Sequence, residues 1–324
     1  MKHDSAIELS GLGKVYGRGK SPFTAVEPTT LSVPWGQVIG LLGPNGAGKT
    51  TIIKMIGGLV TPTWGSVRLG GHDVARQRRH AVRQIGAVLE GSRNVYWPLS
   101  AWENLMYFGR LKGRRSAEIK PRAQQLLTEL SLWPRRHQPV GSFSRGMQQK
   151  VAIAAALITD PPILLLDEPT LGLDVEAART VKDWIDHLAR QEGKTVVLTT
   201  HQLEAAQELS GRIAVIKDGQ IIADLPTGQL LDRYAETRYT VTVAGPLGGL
   251  DGALPAGAQV DTRLDSTRIT LPSDNPDDLH KLLAHVQWHE ARLLSVNQAR
   301  PNLEEVFIRL INDDQTAGQV KERM

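Results

Sequence analysis

Cysteine is absent from the 324 residues, which excludes a disulfide framework, a thiol nucleophile and cysteine-ligated zinc or iron–sulfur centres. Aromatic residues make up only 5% of the chain. Long apolar runs are missing as well: the longest, Val151 to Ile158, has eight residues before Thr159 and Asp160 interrupt it, far short of the ~20 needed to span a bilayer. The opening residues, MKHDSAIELSGLGKVYG, hold no apolar segment of signal-peptide length. No repeat of fixed period, low-complexity segment or heptad run is present. The expectation is a chain that does not cross a membrane by itself and has a cytoplasmic address.

What is present belongs to a globular protein, with 41% apolar and 22% charged residues. Domains cluster near roughly 100 to 200 residues, so this length predicts two. The net charge of +4 is unevenly spread. Residues 236 to 324 carry 9 basic and 13 acidic side chains, and residues 1 to 235 carry 29 and 21. The positive charge gathers in Arg76, Arg78, Arg79 and Arg83, then in Arg110, Lys112, Arg114 and Arg115, and again in Arg135 and Arg136. Aromatics are not interleaved with these runs as a stacking platform requires, so they read as a solvated face and no nucleic acid is expected.

Val38 to Leu42, Ile163 to Leu166 and Thr195 to Thr199 are almost wholly apolar, the mark of strands buried on both faces of a parallel sheet. Ala6 to Leu9, Ser66 to Leu69 and Ile85 to Leu89 read as further strands, and Ala101 to about Arg135 as helix-rich. Strands separated by helices predict an α/β layer structure with function at the strands' carboxyl ends. After a helix closing at Leu230 to Tyr234 the texture changes to the alternating strand Arg238 to Val243. A loop from Gly245 to Gly257 follows, then a strand at Arg268 to Leu271, a helix opening near Asn275-Pro276, a strand at Ala291 to Val296, a helix from Asn302 to Ile311 and a frayed polar tail. The expected division is residues 1–235 and a small α+β domain at 236–324.

Gly43-Pro44-Asn45-Gly46-Ala47-Gly48-Lys49-Thr50, followed by Thr51, matches G-x-x-x-x-G-K-[ST] between a buried strand and a helix. Glycines let backbone N–H groups and a helix N-terminus converge on phosphate oxygens, Lys49 reaches the β- and γ-phosphates, and the Thr50 hydroxyl ligates Mg²⁺. ATP and Mg²⁺ are the cofactors this predicts. At the end of another buried strand stand Asp167, a second holder of Mg²⁺, and Glu168, a base for the attacking water.

Some two dozen residues before Asp167, Phe143-Ser144-Arg145-Gly146-Met147-Gln148-Gln149-Lys150 resembles the signature of ATP-binding cassette (ABC) transporter ATPases, usually written LSGGQ, in a variant common in ABC-2 type exporters. The resemblance covers residues 5 to about 230. It implies a P-loop NTPase fold, an ABC ATPase domain with a helical subdomain, here followed by the small α+β domain. It also implies a second ATPase subunit, as homodimer or heterodimer, with Ser144 and Gly146 contacting the nucleotide held by the partner. Leu171-Gly172-Leu173-Asp174 resembles the D-loop that crosses the dimer interface. His201 resembles the switch histidine that bonds the γ-phosphate, and Tyr16 the aromatic that stacks on adenine. The Q-loop glutamine of the family is replaced by Glu90, whose carboxylate can still accept hydrogen bonds from metal-bound water.

Asn94 to Leu105 resembles the start of the subdomain that docks a permease, with Tyr96, Trp97 and Trp102 either at that interface or in the core. Arg300 to Leu310 is similar to the P-x-L-E-x-V-F ending of drug-resistance exporter ATPases. The function implied is an ATPase, peripheral on the cytoplasmic face of the membrane, that powers a separate ABC-2 type permease for export. Two other readings compete with it: an ABC-type ATPase acting on DNA or ribosomes, and a module that holds ATP without hydrolysing it.

Overall fold

The computed structural model describes residues 5–17, 21–91, 94–234, 238–250, 254–255, 257–272, 276–299 and 302–321. They fall into two compact units, Met1–Thr227 and Gly228–Met324. The division lies ahead of the predicted boundary at 235, a residue outside the described ones, because the helix Thr227–Tyr234 groups with the second unit.

The first unit opens with β1 (Ser5–Tyr16), β2 (Phe23–Pro34), β3 (Val38–Leu42), α1 (Lys49–Ile56), β4 (Trp64–Leu69), β5 (His72–Asp73), α2 (Arg78–Arg83) and β6 (Ile85–Val88). It continues through α3 (Ala101–Leu111), α4 (Ser116–Glu129), α5 (Arg145–Leu157), β7 (Ile163–Asp167), α6 (Val175–Arg190), β8 (Thr195–Thr199), α7 (Leu203–Leu209), β9 (Arg212–Lys217) and β10 (Gln220–Pro226). An antiparallel sheet runs β2-β1-β4-β5, and a second sheet runs β10-β9-β3-β8-β7-β6 with all strands but β10 parallel.

The apolar runs of β3, β7 and β8 serve two cores at once. Ile39, Leu41, Ile163, Leu165 and Val197 face α1 and the antiparallel sheet, where Ile7, Leu9, Val26 and Val33 pack. Val38, Leu164, Leu166, Val196 and Leu198 face the helical layer with Leu105, Leu127, Ile153 and Ile185. Period-two alternation therefore persists, but both faces are apolar and every residue of these strands is buried. The helical layer has its own start signal in α3, where Ser100 accepts from the Glu103 N–H at 3.2 Å and Glu103 accepts from the Ser100 N–H at 2.8 Å, a capping box.

The second unit contains α8 (Thr227–Tyr234), β11 (Arg238–Ala244), β12 (Gln259–Thr262), β13 (Ser266–Pro272), α9 (Pro276–Trp288), β14 (Leu293–Ala299) and α10 (Leu303–Lys321). Its antiparallel sheet has the order β12-β13-β11-β14. Val241 and Val243 of β11 pack with Ile269, Leu271, Leu282 and Val286, which is the buried face that the alternation of β11 predicts. The final helix continues past Ile311 to Lys321, over the tail expected to fray. Asn275, Arg300 and Pro301, named in the sequence reading, lie outside the described residues, as does part of the loop Gly245 to Gly257.

Candidate active site

β3 ends at Leu42, and the chain then wraps tightly enough to enter α1 at Lys49. A Cβ on Gly43 would overlap the carbonyl oxygen of Ile216, and Gly48 has φ +103° with the Ala25 carbonyl against its α-carbon, so neither position tolerates a side chain. Gly48 caps α1 without a side chain, leaving the first N–H groups of the helix free for an anion. The ammonium of Lys49 donates to the carbonyl oxygens of Gly43 at 2.7 Å and Pro44 at 3.0 Å. Burial pushes its pKa below the usual lysine value, and the neighbouring carboxylates of Glu168, Asp167 and Glu90 offset part of that shift.

Parallel pairing brings the acidic end of β7 to the same place. Asp167 sits opposite Thr199 in register, and the Thr199 hydroxyl donates to its Oδ1. On the other side, β6 pairs with β7 and carries Glu90 to the Asp167 carboxylate, where the Glu90 N–H donates to Oδ2 at 3.4 Å. Glu168 has φ +52°, a left-handed conformation rare for a side chain of its size, and its N–H is bonded to the Thr199 carbonyl at 3.0 Å. Its carboxylate bonds His201 Nδ1 through Oε1 at 2.9 Å, while Oε2 is buried and has no hydrogen-bond partner among the described residues.

These residues line one open cleft of about 670 Å³. Asn45, Gly46, Ala47, Gly48, Lys49, Thr50 and Thr51 form its floor, with Gly43 and Pro44 reached through Lys49. Glu90, Asp167, Glu168, Leu171 and His201 form one wall, and Tyr16 stands at the mouth. Phe23 stands there too, paired with Tyr16 across β1 and β2, and sequence reasoning missed it. The signal was an isolated phenylalanine in a polar stretch, 62% exposed in the fold, where burial cannot account for it.

Ser144 and Gly146 are not in this cleft. Ser144 caps α5, its Oγ accepting from the Met147 N–H at 3.3 Å, and Gly146 is buried in the first turn of that helix. Asp174 of the loop after β7 likewise caps α6, accepting from the Ala177 N–H at 2.8 Å. A hydrogen bond of 2.8 Å from the Thr170 hydroxyl to Gln202 ties that loop to the one carrying His201.

Residues 26–171 match the ABC transporter family. The daunorubicin resistance ATP-binding protein DrrA3 of Streptomyces coeruleorubidus is 37% identical over 316 residues, 96% of this chain and 97% of that protein. This chain belongs to the ABC transporter ATP-binding subunits. The Nod factor export ATP-binding protein I of Sinorhizobium fredii is 34% identical over 311 residues, 95% of this chain and 87% of its own length. Among solved structures, the dimeric post-hydrolysis state of the ATP-binding cassette MJ0796 bound to ADP and Pi superposes with a TM-score of 0.63 at 29% identity, covering 68% of this chain and 98% of that one. The chain is thus an ATP-binding ABC ATPase with this cleft as its candidate nucleotide site, and the second unit lies in the part of the chain beyond the cassette.

Proposed function

We propose that two copies of this ATPase close on two ATP molecules, and that the closure drives a separate ABC-2 type permease in the direction of export. One observation carries the shared site: the cleft holds the phosphate loop, Asp167, Glu168 and His201, but not Ser144 or Gly146. A capped helix N-terminus exposed elsewhere on the same chain offers N–H donors that a phosphate in a second copy's cleft lacks. The dimeric cassette relative and the relatives named for drug resistance and Nod factor export support the reading. No helix among the described residues is long and apolar enough to cross a membrane, so the permease is a separate chain in this proposal.

The donor set suits Mg²⁺, which prefers hard oxygen ligands shared with substrate phosphates. The Thr50 hydroxyl and the Asp167 carboxylate would hold it, with Glu90 reaching it through water in place of the family's glutamine. Bound there, the ion would neutralise charge on the phosphate oxygens. Glu168 orients and deprotonates the attacking water, and His201 fixes Glu168 through Nδ1 while presenting its other nitrogen to the γ-phosphate.

The aromatic groove formed by Leu89, Val95, Tyr96, Trp97 and Phe108, about 700 Å³, suits a permease segment because it is continuous with Glu90 in the chain. Tyr96 and Trp97 are exposed there, whereas Trp102 packs edge-on against Trp133 at 5.9 Å and belongs to the helical layer.

Mixing two inactive variants tests the shared site. His201→Ala and Ser144→Ala, combined and allowed to exchange subunits, form heterodimers with one doubly damaged and one intact site. Hydrolysis should recover above either variant alone, and no recovery despite proven exchange would refute the geometry. Reconstitution with an ABC-2 type permease should raise turnover, and an unchanged rate would refute the coupling. At the mouth of the cleft, Tyr16→Ala and Phe23→Ala should each weaken ATP by about 1 kcal/mol, the lower range for a base stacked on an aromatic ring. Tripolyphosphate, which has no base, should bind both variants as it binds the parent in calorimetric titration. Equal losses for both ligands would assign the aromatics a structural role.

A further inference from the structure

Two of the basic runs, widely separated in the sequence, meet around one cleft of about 530 Å³ remote from the ATP site. Arg78, Arg79 and Arg83 reach it from α2, and Lys112 from the end of α3, while Val82 and Leu111 supply its apolar wall. No carboxylate lines it among the described residues. The side chains of Arg79 and Arg83 make no hydrogen bond or ion pair with the described residues. Lys112 donates to the Ile85 carbonyl at 2.9 Å, and burial lowers its pKa. Helix C-termini favour nearby cations, which accounts for Lys112 after α3 and Arg83 at the end of α2. That explanation fails for Arg78 and Arg79 in the first turn of α2. Leu111 is 67% exposed in the middle of this charge.

We infer that this cleft seats the phosphate headgroup of an anionic phospholipid, with Leu111 entering the interface, so that the ATPase touches the membrane surface directly. Cationic tips on aliphatic stems around an apolar wall match an amphiphilic anion. A nucleic acid would call for stacking aromatics, and the walls here are aliphatic. The groove assigned above to the permease shares α3 through Phe108, which sets the cleft beside that docking surface. That adjacency rests on the proposed function; the lipid contact does not, and its test uses no permease.

The full chain is sedimented with vesicles of phosphatidylglycerol mixed with phosphatidylcholine, and with phosphatidylcholine alone. Binding should require the anionic lipid. The pair Arg79→Gln with Arg83→Gln should lower partitioning about thirtyfold, at about fivefold per cation near an anionic surface. Leu111→Asp should lower it without removing a cation. The pair Arg135→Gln with Arg179→Gln, which subtracts the same charge elsewhere, should leave it unchanged, and ATP affinity should be that of the parent in every variant. Equal binding to neutral vesicles or equal losses for the two pairs would each overturn the inference.

Discussion

Glu168→Gln should lower ATP hydrolysis by about two to four orders of magnitude, the usual range for a positioned general base, while ATP still binds. Glutamine keeps the length of the side chain and an oxygen to accept from His201, whose Nδ1 lies 2.9 Å from the carboxylate. What it loses is the ability to take a proton from water. The second carboxylate oxygen, Oε2, is buried and has no hydrogen-bond partner among the described residues. In the proposed mechanism this oxygen would accept the proton of the attacking water, the step that glutamine cannot complete. With hydrolysis blocked, Mg-ATP should trap the closed dimer, visible as a doubled mass in light scattering. Turnover at the parental rate would assign the base to another residue, and a monomer at saturating Mg-ATP would remove the shared site.

The fold was legible where burial on both faces left unbroken apolar strands, as in β3, β7 and β8. It was less so where strands are irregular or exposed. β1 runs to Tyr16 rather than stopping near Leu9, because register shifts between Leu9, Leu12 and Lys14 absorb Gly11 and Gly13 without ending the pairing. Its partner β2, Phe23–Pro34, carries Pro28 and Pro34 and was not among the expected strands. β12 is exposed along its whole length and has no alternation to detect.

Of the site, the phosphate loop and the acidic strand end were readable because their chemistry demands contiguous residues. The contacts between segments were not. Thr199 beside Asp167, His201 on Glu168 and Phe23 opposite Tyr16 all arise from strand pairing between segments far apart in the chain. The basic runs were read as a solvated face because no single run shows what the fold assembles from two of them.

Lys49→Met should abolish ATP binding without weakening the empty protein. The residue is 9% exposed and its ammonium is bonded to two loop carbonyls, an arrangement that would hold it beneath the β- and γ-phosphates of a bound nucleotide. Each charge-assisted bond it would make to phosphate is worth about 1.5–3 kcal/mol. Two such bonds correspond to a loss of roughly two to four orders of magnitude in affinity. Removing the cation also leaves Glu168, Asp167 and Glu90 uncompensated against an anionic ligand.

The desolvation part of the stability effect has the opposite sign. Burial lowers the pKa of Lys49, so folding disfavours its charged form. That penalty is in place while both the folded and unfolded states keep the lysine protonated. It fades as the pH climbs through the ordinary range of the unfolded lysine. Methionine has similar length and no charge to desolvate, a gain that offsets the loss of the two bonds to the Gly43 and Pro44 carbonyls, so the melting temperature of the nucleotide-free variant should stay close to that of the parent. The rise in melting temperature that ATP produces by binding only the folded state should vanish. A variant that melts lower when empty and still gains stability from ATP would make Lys49 a structural residue of the loop and would undo the phosphate-site assignment.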